Sequence, residues 1–264
     1  MFRQFKIKTI MNLKITHFVI FTTFGFVTAC STPPKKISKI ETKQISISND
    51  LEKNDAVESY IKPYRQRINL IMDSALTNTP KKITADDGEY NTSEGNLLAD
   101  LLYTQANPIF KSIYKKEIDF VLINHGGIRS IISKGNVTTR NAYQIMPFEN
   151  SIVVAELTGK SIQELVSFLI KSKTAHPISG AQIILNKDDS LASFKIQNKN
   201  FDSKKTYYVA THNYLASGGD NMVFFKDAIT IIPLDYKFRN AIIDYFEKVD
   251  TLYATVDNRF YKKL

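Results

Sequence analysis

The sequence has 264 residues, of which 43% are hydrophobic and 11% aromatic, and this length allows one large or two small domains with a substantial core. The formal net charge of +9 is concentrated near the N-terminus, where the first 50 positions hold eight of the 35 Lys and Arg residues but two of the 26 Asp and Glu residues. The rest of the chain is nearly balanced in charge and has no long basic run, which argues against a nucleic-acid-binding surface.

Residues 11–30, MNLKITHFVIFTTFGFVTAC, have a short basic start and an apolar stretch that ends in small residues and Cys30, the one cysteine of the chain. The apolar stretch is too short and too often interrupted to predict a membrane span. The pattern resembles a bacterial lipobox. It predicts a lipoprotein signal peptide over 1–29, lipidation of Cys30 and a location in the cell envelope, on its periplasmic or surface face. An ordinary signal peptide with an incidental cysteine is the alternative.

Residues 30–50 are polar and rich in proline and lysine, which predicts a tether, and residues 51–264 are predicted to form one domain. Apolar residues three or four positions apart predict helices from Asp50 onward (Tyr60, Ile61, Tyr64, Ile68, Ile71), over 93–106, from about 158–161 (Ile162, Leu165, Val166, Leu169) and over 238–249. Short β-branched runs predict strands over 118–124, 151–157, 181–186, 193–198 and 205–215. This order predicts an α+β fold, with a mixed sheet and flanking helices.

Two predicted strands run into glycine pairs that carry a charged residue. INHGGIRS (123–130) contains Asn124, Gly126–Gly127 and Arg129, and THNYLASGGD (211–220) ends in Gly218–Gly219 and Asp220. Glycine pairs let a backbone approach a ligand closely, an arginine binds phosphate or carboxylate, and a carboxylate accepts hydrogen bonds from sugar hydroxyls. Each pattern alone is also typical of a plain turn.

Five motifs in one order are more specific: NHGGIR, PFEN (147–150), LTG (157–159), SGAQI (179–183) and NYLASGGD. Together with EGNLLAD (94–100) they resemble the C-terminal, substrate-recognition domain of the 5'-nucleotidase/UDP-sugar hydrolase family, over residues 51–264. The resemblance implies that this domain recognises a nucleotide or nucleoside.

The resemblance also implies roles for individual residues. Phe148 and Tyr214 stack on the two faces of the base, through the faces of their rings. Asn150 contacts the base, Arg129 the phosphate, Asp220 the ribose and Asn124 the nucleotide. Gly127, Gly180 and Gly219 let the backbone approach the ligand. Packing of Phe148 and Tyr214 in the core is the alternative for both rings, since aromatic residues beside strands are usually core residues.

In the family a separate N-terminal metallophosphatase domain performs the hydrolysis with two metal ions. The present sequence has no Gly-His-x-His motif, and His125, His176 and His212 are isolated histidines, which predicts no metal site in this chain. The stretch before EGNL also lacks the arginine that family members often carry, although Lys81 and Lys82 are near. The resemblance therefore implies the recognition half of a nucleotide-dephosphorylating system, in which a separately encoded catalytic partner carries the divalent metals.

Two alternatives remain open from the sequence. The chain is a non-enzymatic lipoprotein that captures nucleotides or nucleosides, or it is an adhesive lipoprotein whose ligand site has decayed.

Overall fold

The computed structural model describes residues 14–23, 36–48 and 50–263, and the chain divides into two units, Met1–Asn54 and Asp55–Leu264. In the first unit, residues 14–23 are helical and residues 36–48 have no regular secondary structure. The predicted lipidation site, Cys30, lies outside the described residues, as does most of the predicted signal peptide. No helix in the described ranges combines the length and the apolar character needed to cross a membrane.

The α-helices of the second unit flank its sheets. They are α1 (Asp55–Met72), α2 (Ser93–Tyr114), α3 (Thr139–Ile145), α4 (Gly159–Ser172), α5 (Asn213–Ala216) and α6 (Phe238–Lys248). Side-chain caps begin two of them: the hydroxyl of Thr92 accepts a hydrogen bond from Gly95 N–H (3.1 Å), and that of Thr158 accepts one from Ser161 N–H (3.2 Å). Such caps satisfy backbone donors that have no partner within the first helical turn.

The strands form three sheets. They are β1 (Ala75–Thr79), β2 (Phe120–Leu122), β3 (Gly135–Thr138), β4 (Ser151–Thr158), β5 (Ile178–Ser179), β6 (Ala181–Leu185), β7 (Leu191–Ile196), β8 (Lys199–Asn200), β9 (Thr206–His212), β10 (Thr230–Lys237) and β11 (Phe260–Lys262). The central sheet has the order β10-β4-β9-β2-β5, a second sheet has the order β11-β6-β7-β8, and β1 pairs with β3.

The central sheet is mixed, because β2 and β9 are parallel while the other neighbouring pairs in it are antiparallel. In register, Phe120 lies opposite Val209 and Val121 opposite Ala210. The carboxyl ends of β2 and β9 therefore meet at one edge of the sheet, which is where the two glycine-pair segments leave it.

Hydrophobic clusters cover both faces of the central sheet. On one face α2 and α6 pack against it, and on the other α4 and the second sheet do so. Alternate residues of β2 point to opposite faces: Val121 belongs to the first cluster, and Phe120 and Leu122 to the second. Burial on both faces explains why β2 and β4 are almost continuously apolar in sequence.

This is the mixed sheet with flanking helices that the sequence predicts. The helix expected from Asp50 begins at Asp55, and the strand expected over 205–215 ends at His212, after which the chain turns into α5. The predicted apolar stripe of α4 is buried, whereas no residue of α1 is buried and Tyr60 and Tyr64 are largely exposed.

Candidate functional site

A hydrogen bond joins the two glycine-pair segments. Asn124 is the second residue after β2, and Asp220 lies in the 3-10 turn Gly219–Asn221 that follows α5. The Asn124 Nδ2 amide donates to Asp220 Oδ2 at 2.6 Å. The parallel pairing of β2 with β9 thus brings together two motifs that are almost one hundred residues apart in the sequence.

A cavity of about 440 Å³ opens at this edge of the sheet. Its size lies within the range of small-molecule sites, roughly 300–1,000 Å³. All of the ligand-binding residues predicted from the sequence line it except Gly180 and Gly219, and Gly126 is added to them: the lining is Asn124, Gly126, Gly127, Arg129, Phe148, Asn150, Tyr214 and Asp220.

The two aromatic residues of the lining are not core residues. The relative exposures of Phe148 and Tyr214 are 43% and 45%. Large rings that stay this open beside a cavity leave apolar surface available to a flat ligand.

Arg129 supplies the positive charge of the lining. Its Nη1 donates to the Gly126 carbonyl (3.2 Å), and its Cζ lies 5.9 Å from the Phe148 ring centroid. Within the described part of the chain no carboxylate forms an ion pair with Arg129. Lys81 and Lys82, the nearby cations noted in the sequence, do not line the cavity.

Asp220 supplies the negative charge, and both of its carboxylate oxygens accept hydrogen bonds from the protein. The Tyr214 hydroxyl donates to Oδ1 (2.9 Å), and Asn124 donates to Oδ2. The backbone of Asp220 is in the left-handed region, with φ of 50°. Residues other than glycine adopt this conformation at a cost, and such residues concentrate at functional sites.

The second glycine of each pair accommodates a side chain of the cavity. A Cβ at residue 127 would lie 2.8 Å from Asn124 Oδ1, and one at residue 219 would lie 2.5 Å from the Tyr214 ring. Gly127 and Gly219 are therefore needed where Asn124 and Tyr214 pack over the backbone. From the sequence, both glycines are expected to let the backbone approach the ligand; Gly127 lines the cavity, whereas Gly219 does not.

Gly180 lies elsewhere. It separates β5 from β6, has φ of +81°, and a Cβ there would lie 2.8 Å from Gln197 Nε2 and 2.9 Å from the Asp119 carbonyl oxygen. Close packing between strands accounts for this glycine, and the cavity lining does not include it.

Arg239, at the start of α6, holds the PFEN loop and was not found from the sequence. It is 7% exposed and donates through Nη1 to the carbonyls of Met146 (3.2 Å) and Phe148 (3.4 Å). Nη2 bonds to the Glu149 carboxylate, and Cζ lies 4.1 Å from the Tyr143 ring centroid. Nothing in the sequence distinguishes Arg239 from any other charged residue of an amphipathic helix, so this role could not be predicted.

Comparisons with known proteins identify the family and the fold of this chain. A family model described as 5'-nucleotidase, C-terminal domain, matches residues 74–227. The chain belongs to this family. This 5'-nucleotidase C-terminal domain is 24% identical to the protein UshA of Escherichia coli (strain K12) over 183 residues. The aligned residues make up 68% of this chain and 32% of UshA.

A protein named 5'-nucleotidase in Vibrio vulnificus (strain CMCP6) is 21% identical over 185 residues, or 68% of this chain and 32% of that relative. The chain thus spans about a third of the length of these curated relatives. The fold is similar to the 5'-nucleotidase precursor of Thermus thermophilus, with a TM-score of 0.65 and 20% identity over 78% of this chain and 43% of that one. It is also similar to the NAD nucleotidase (NadN) of Haemophilus influenzae, with a TM-score of 0.59 and 18% identity over 80% and 42%.

Hydrogen bonds within this 5'-nucleotidase C-terminal domain engage His176 and His212. The His125 backbone N–H donates to His176 Nδ1 (3.3 Å), and His212 Nε2 bonds to Asn124 Oδ1 (3.0 Å). Burial lowers the pKa of both His176 and His212 to about 4, so both rings are neutral near pH 7. Nowhere in the described ranges do three His, Cys, Asp or Glu side chains converge as metal ligands.

Proposed function

We propose that residues 51–264 bind a nucleotide or nucleoside in the cavity beyond the carboxyl ends of β2 and β9. The observation that carries this proposal is the lining itself, which combines two open aromatic rings, one guanidinium and one carboxylate. A nucleotide requires flat apolar surfaces for its base, an acceptor for its sugar hydroxyls and a cation for its phosphate.

In the proposed complex the base lies between Phe148 and Tyr214. The backbone carbonyl of Asn150 accepts a hydrogen bond from Phe238 N–H (2.9 Å), which holds this residue at the cavity. Its side-chain amide contacts the edge of the base. Asp220 accepts from the ribose hydroxyls, because each carboxylate oxygen has a second lone pair beyond the one used in its protein hydrogen bond. Arg129 binds the phosphate.

We further propose that this domain serves nucleotide dephosphorylation together with a separately encoded metallophosphatase. The support is the family membership and the absence of metallophosphatase motifs from the sequence. The divalent metals would be held by that partner, where they would activate the attacking water. The full chain by itself should release no phosphate from AMP in the presence of Mn²⁺ or Co²⁺. Metal-dependent release that disappears in His125→Ala would contradict this proposal.

The N-terminal assignments are part of the same proposal: a signal peptide over 1–29, a lipidated Cys30 and a tether to residue 50, in the cell envelope. One acyl chain alone gives only marginal membrane binding, whereas several acyl chains on the same N-terminus anchor a protein firmly. Cys30→Ser should therefore move the protein out of the membrane fraction or block its processing. A Cys30→Ser protein that still partitions wholly into membranes would remove the anchor.

Calorimetric titration of the full chain in detergent with AMP and with adenosine tests the binding proposal. Arg129→Ala should weaken AMP binding about 10-fold or more and leave adenosine nearly unchanged, because a charge-assisted hydrogen bond contributes roughly 1.5–3 kcal/mol. Arg140→Ala is the matched control, since this arginine pairs with Asp73 and does not line the cavity. Equal losses for both ligands in Arg129→Ala would remove its phosphate role. Binding that never leads to hydrolysis, even with a metallophosphatase encoded beside this chain, would favour the capture lipoprotein.

A further inference from the structure

His212 lies buried directly behind the cavity and no role in the proposed complex uses it. It is the last residue of β9 and is 1% exposed. Its ring stacks with Tyr214 at 6.1 Å between centroids and with Phe238 at 6.3 Å. His212 Nε2 is 3.0 Å from Asn124 Oδ1. His212 therefore contacts two lining residues, Asn124 and Tyr214, but not the cavity.

The hydrogen-bond pattern determines which nitrogen of His212 carries the proton. The Asp220 carboxylate only accepts, so Asn124 must direct its NH₂ group to it, at 2.6 Å. The side-chain oxygen of Asn124 then faces His212 Nε2, and the two atoms form a hydrogen bond only if Nε2 carries the proton. His212 Nδ1 has no partner among the described residues. The opposite tautomer would bury an N–H without an acceptor, which is unfavourable by about 1–3 kcal/mol.

We propose that His212 is a positioning residue of the ligand site. Its Nε2–H orients the Asn124 amide, and that amide in turn holds Asp220 Oδ2, so that the carboxylate presents its free lone pairs to the sugar. This inference rests on the proposed function and deepens it: the preference for a sugar that carries both vicinal hydroxyls depends on a histidine that does not touch the ligand.

The geometry separates this role from simple core packing. Stacking on Tyr214 and Phe238 needs only a flat ring, whereas orienting Asn124 needs a donor at the Nε2 position. Phenylalanine retains the ring and lacks the donor. Glutamine lacks the ring but places an N–H where Nε2 lies. His212→Phe and His212→Gln are therefore a matched pair of variants.

The first arm of the experiment needs no ligand. Nitrogen-15 NMR of the full chain at pH 7 reports the tautomer of His212, assigned by its loss in His212→Gln. We expect the Nε2–H tautomer in the wild-type protein. An Nδ1–H tautomer would overturn the proposal, because Asn124 would then direct its oxygen toward the Asp220 carboxylate.

The second arm compares adenosine with 2',3'-dideoxyadenosine by calorimetry. Hydrogen bonds to a charged acceptor should make the wild-type protein prefer adenosine by about 10-fold or more. His212→Phe should lose most of this preference through weaker adenosine binding, with dideoxyadenosine affinity unchanged. His212→Gln should keep the preference to within about 3-fold.

Three results would count against a positioning role. Equal losses for both ligands in His212→Phe would reduce His212 to support of the Tyr214 ring, and an unchanged preference in His212→Phe would leave Asp220 independent of it. If the wild-type protein binds neither nucleoside, the proposed function fails and the positioning role fails with it. The tautomer measurement would then still decide whether the hydrogen-bonded network exists.

Discussion

The ring of Tyr214 packs over the backbone of Gly219, so that a Cβ at residue 219 would lie 2.5 Å from Cε1 and Cζ of the ring. The same ring lines the cavity, and its hydroxyl bonds to Asp220. The glycine therefore determines where the ring lies, and with it one wall of the cavity.

Gly219→Ala should displace the Tyr214 ring. Because that ring is partly exposed, it can shift toward solvent at the expense of its hydrogen bonds to Asp220, and we expect a loss of about 1–2 kcal/mol in the free energy of unfolding. Adenosine binding should weaken about 5- to 150-fold, as for loss of base stacking worth roughly 1–3 kcal/mol. Val223→Ala is the control, since this residue is exposed, lies four positions further along the chain and does not line the cavity. Wild-type affinity in Gly219→Ala would show that the ring has no role in binding.

The hydroxyl of Tyr214 should matter as well as its face. From the sequence, Tyr214→Phe is expected to change binding little, because stacking uses the face of the ring. In the structure the hydroxyl donates to Asp220 Oδ1 and accepts from Asp220 N–H (3.2 Å). We now expect Tyr214→Phe to weaken adenosine about 5- to 20-fold and to leave 2',3'-dideoxyadenosine nearly unchanged. Calorimetry with both ligands tests this, and Phe148→Ala should weaken both of them similarly.

Arg239→Met should loosen the loop that carries Phe148. The substitution leaves the carbonyls of Met146 and Phe148 without their buried donor, which should lower the free energy of unfolding by about 2–4 kcal/mol in urea titrations. Nucleoside binding should weaken too, through Phe148. Glu149→Gln is the control: 68% of the Glu149 side chain is exposed, so its loss should amount to less than about 1 kcal/mol. Equal costs for the two variants would assign the effect to the ion pair alone.

Glu94 should make stability fall as pH rises. It is fully buried near the start of α2, and neither carboxylate oxygen has a hydrogen-bond partner among the described residues. Burial, together with Asp86 and Asp87, raises its pKa to about 8. Between its usual pKa and pH 8 the unfolded chain has ionised Glu94 while the folded chain keeps the proton. The folded state is therefore progressively destabilised over this window, and no further change follows above it.

Urea unfolding between pH 5 and 8.5 measures this effect. Glu94→Gln should remove a pH-dependent loss of up to about 4 kcal/mol, most of it between pH 5 and 8. Glu247→Gln, on the exposed face of α6, should leave the wild-type pH profile unchanged. Parallel profiles for wild type and Glu94→Gln would show that Glu94 ionises normally in the folded protein.

The helix α1 shows that periodicity in the sequence predicts a helix but not the burial of its apolar face. Tyr60, Tyr64 and Ile68 have helical spacing and are helical, yet all three are exposed. Leu165 and Leu169 of α4 have the same spacing and are buried. Hydrogen bonds within a helix are local, so the sequence predicts the helix; burial depends on which element packs against it. The short strands β1, β3, β5, β8 and β11 were not predicted, because two to five residues are too few to establish a period. The longer β10 was not predicted either, because Pro233 interrupts its apolar run; proline is tolerated there since β10 is an edge strand.

The sequence by itself determined the family, the mixed fold and most of the cavity lining, because family motifs record which residue types a site needs. Only the tertiary structure decided what the glycines and histidines do. Gly219 is required by the Tyr214 ring and Gly180 by the neighbouring strands. Hydrogen bonds link His212 to Asp220 through Asn124. These relationships join residues from different strands, and their distances exist only once β2 and β9 have paired.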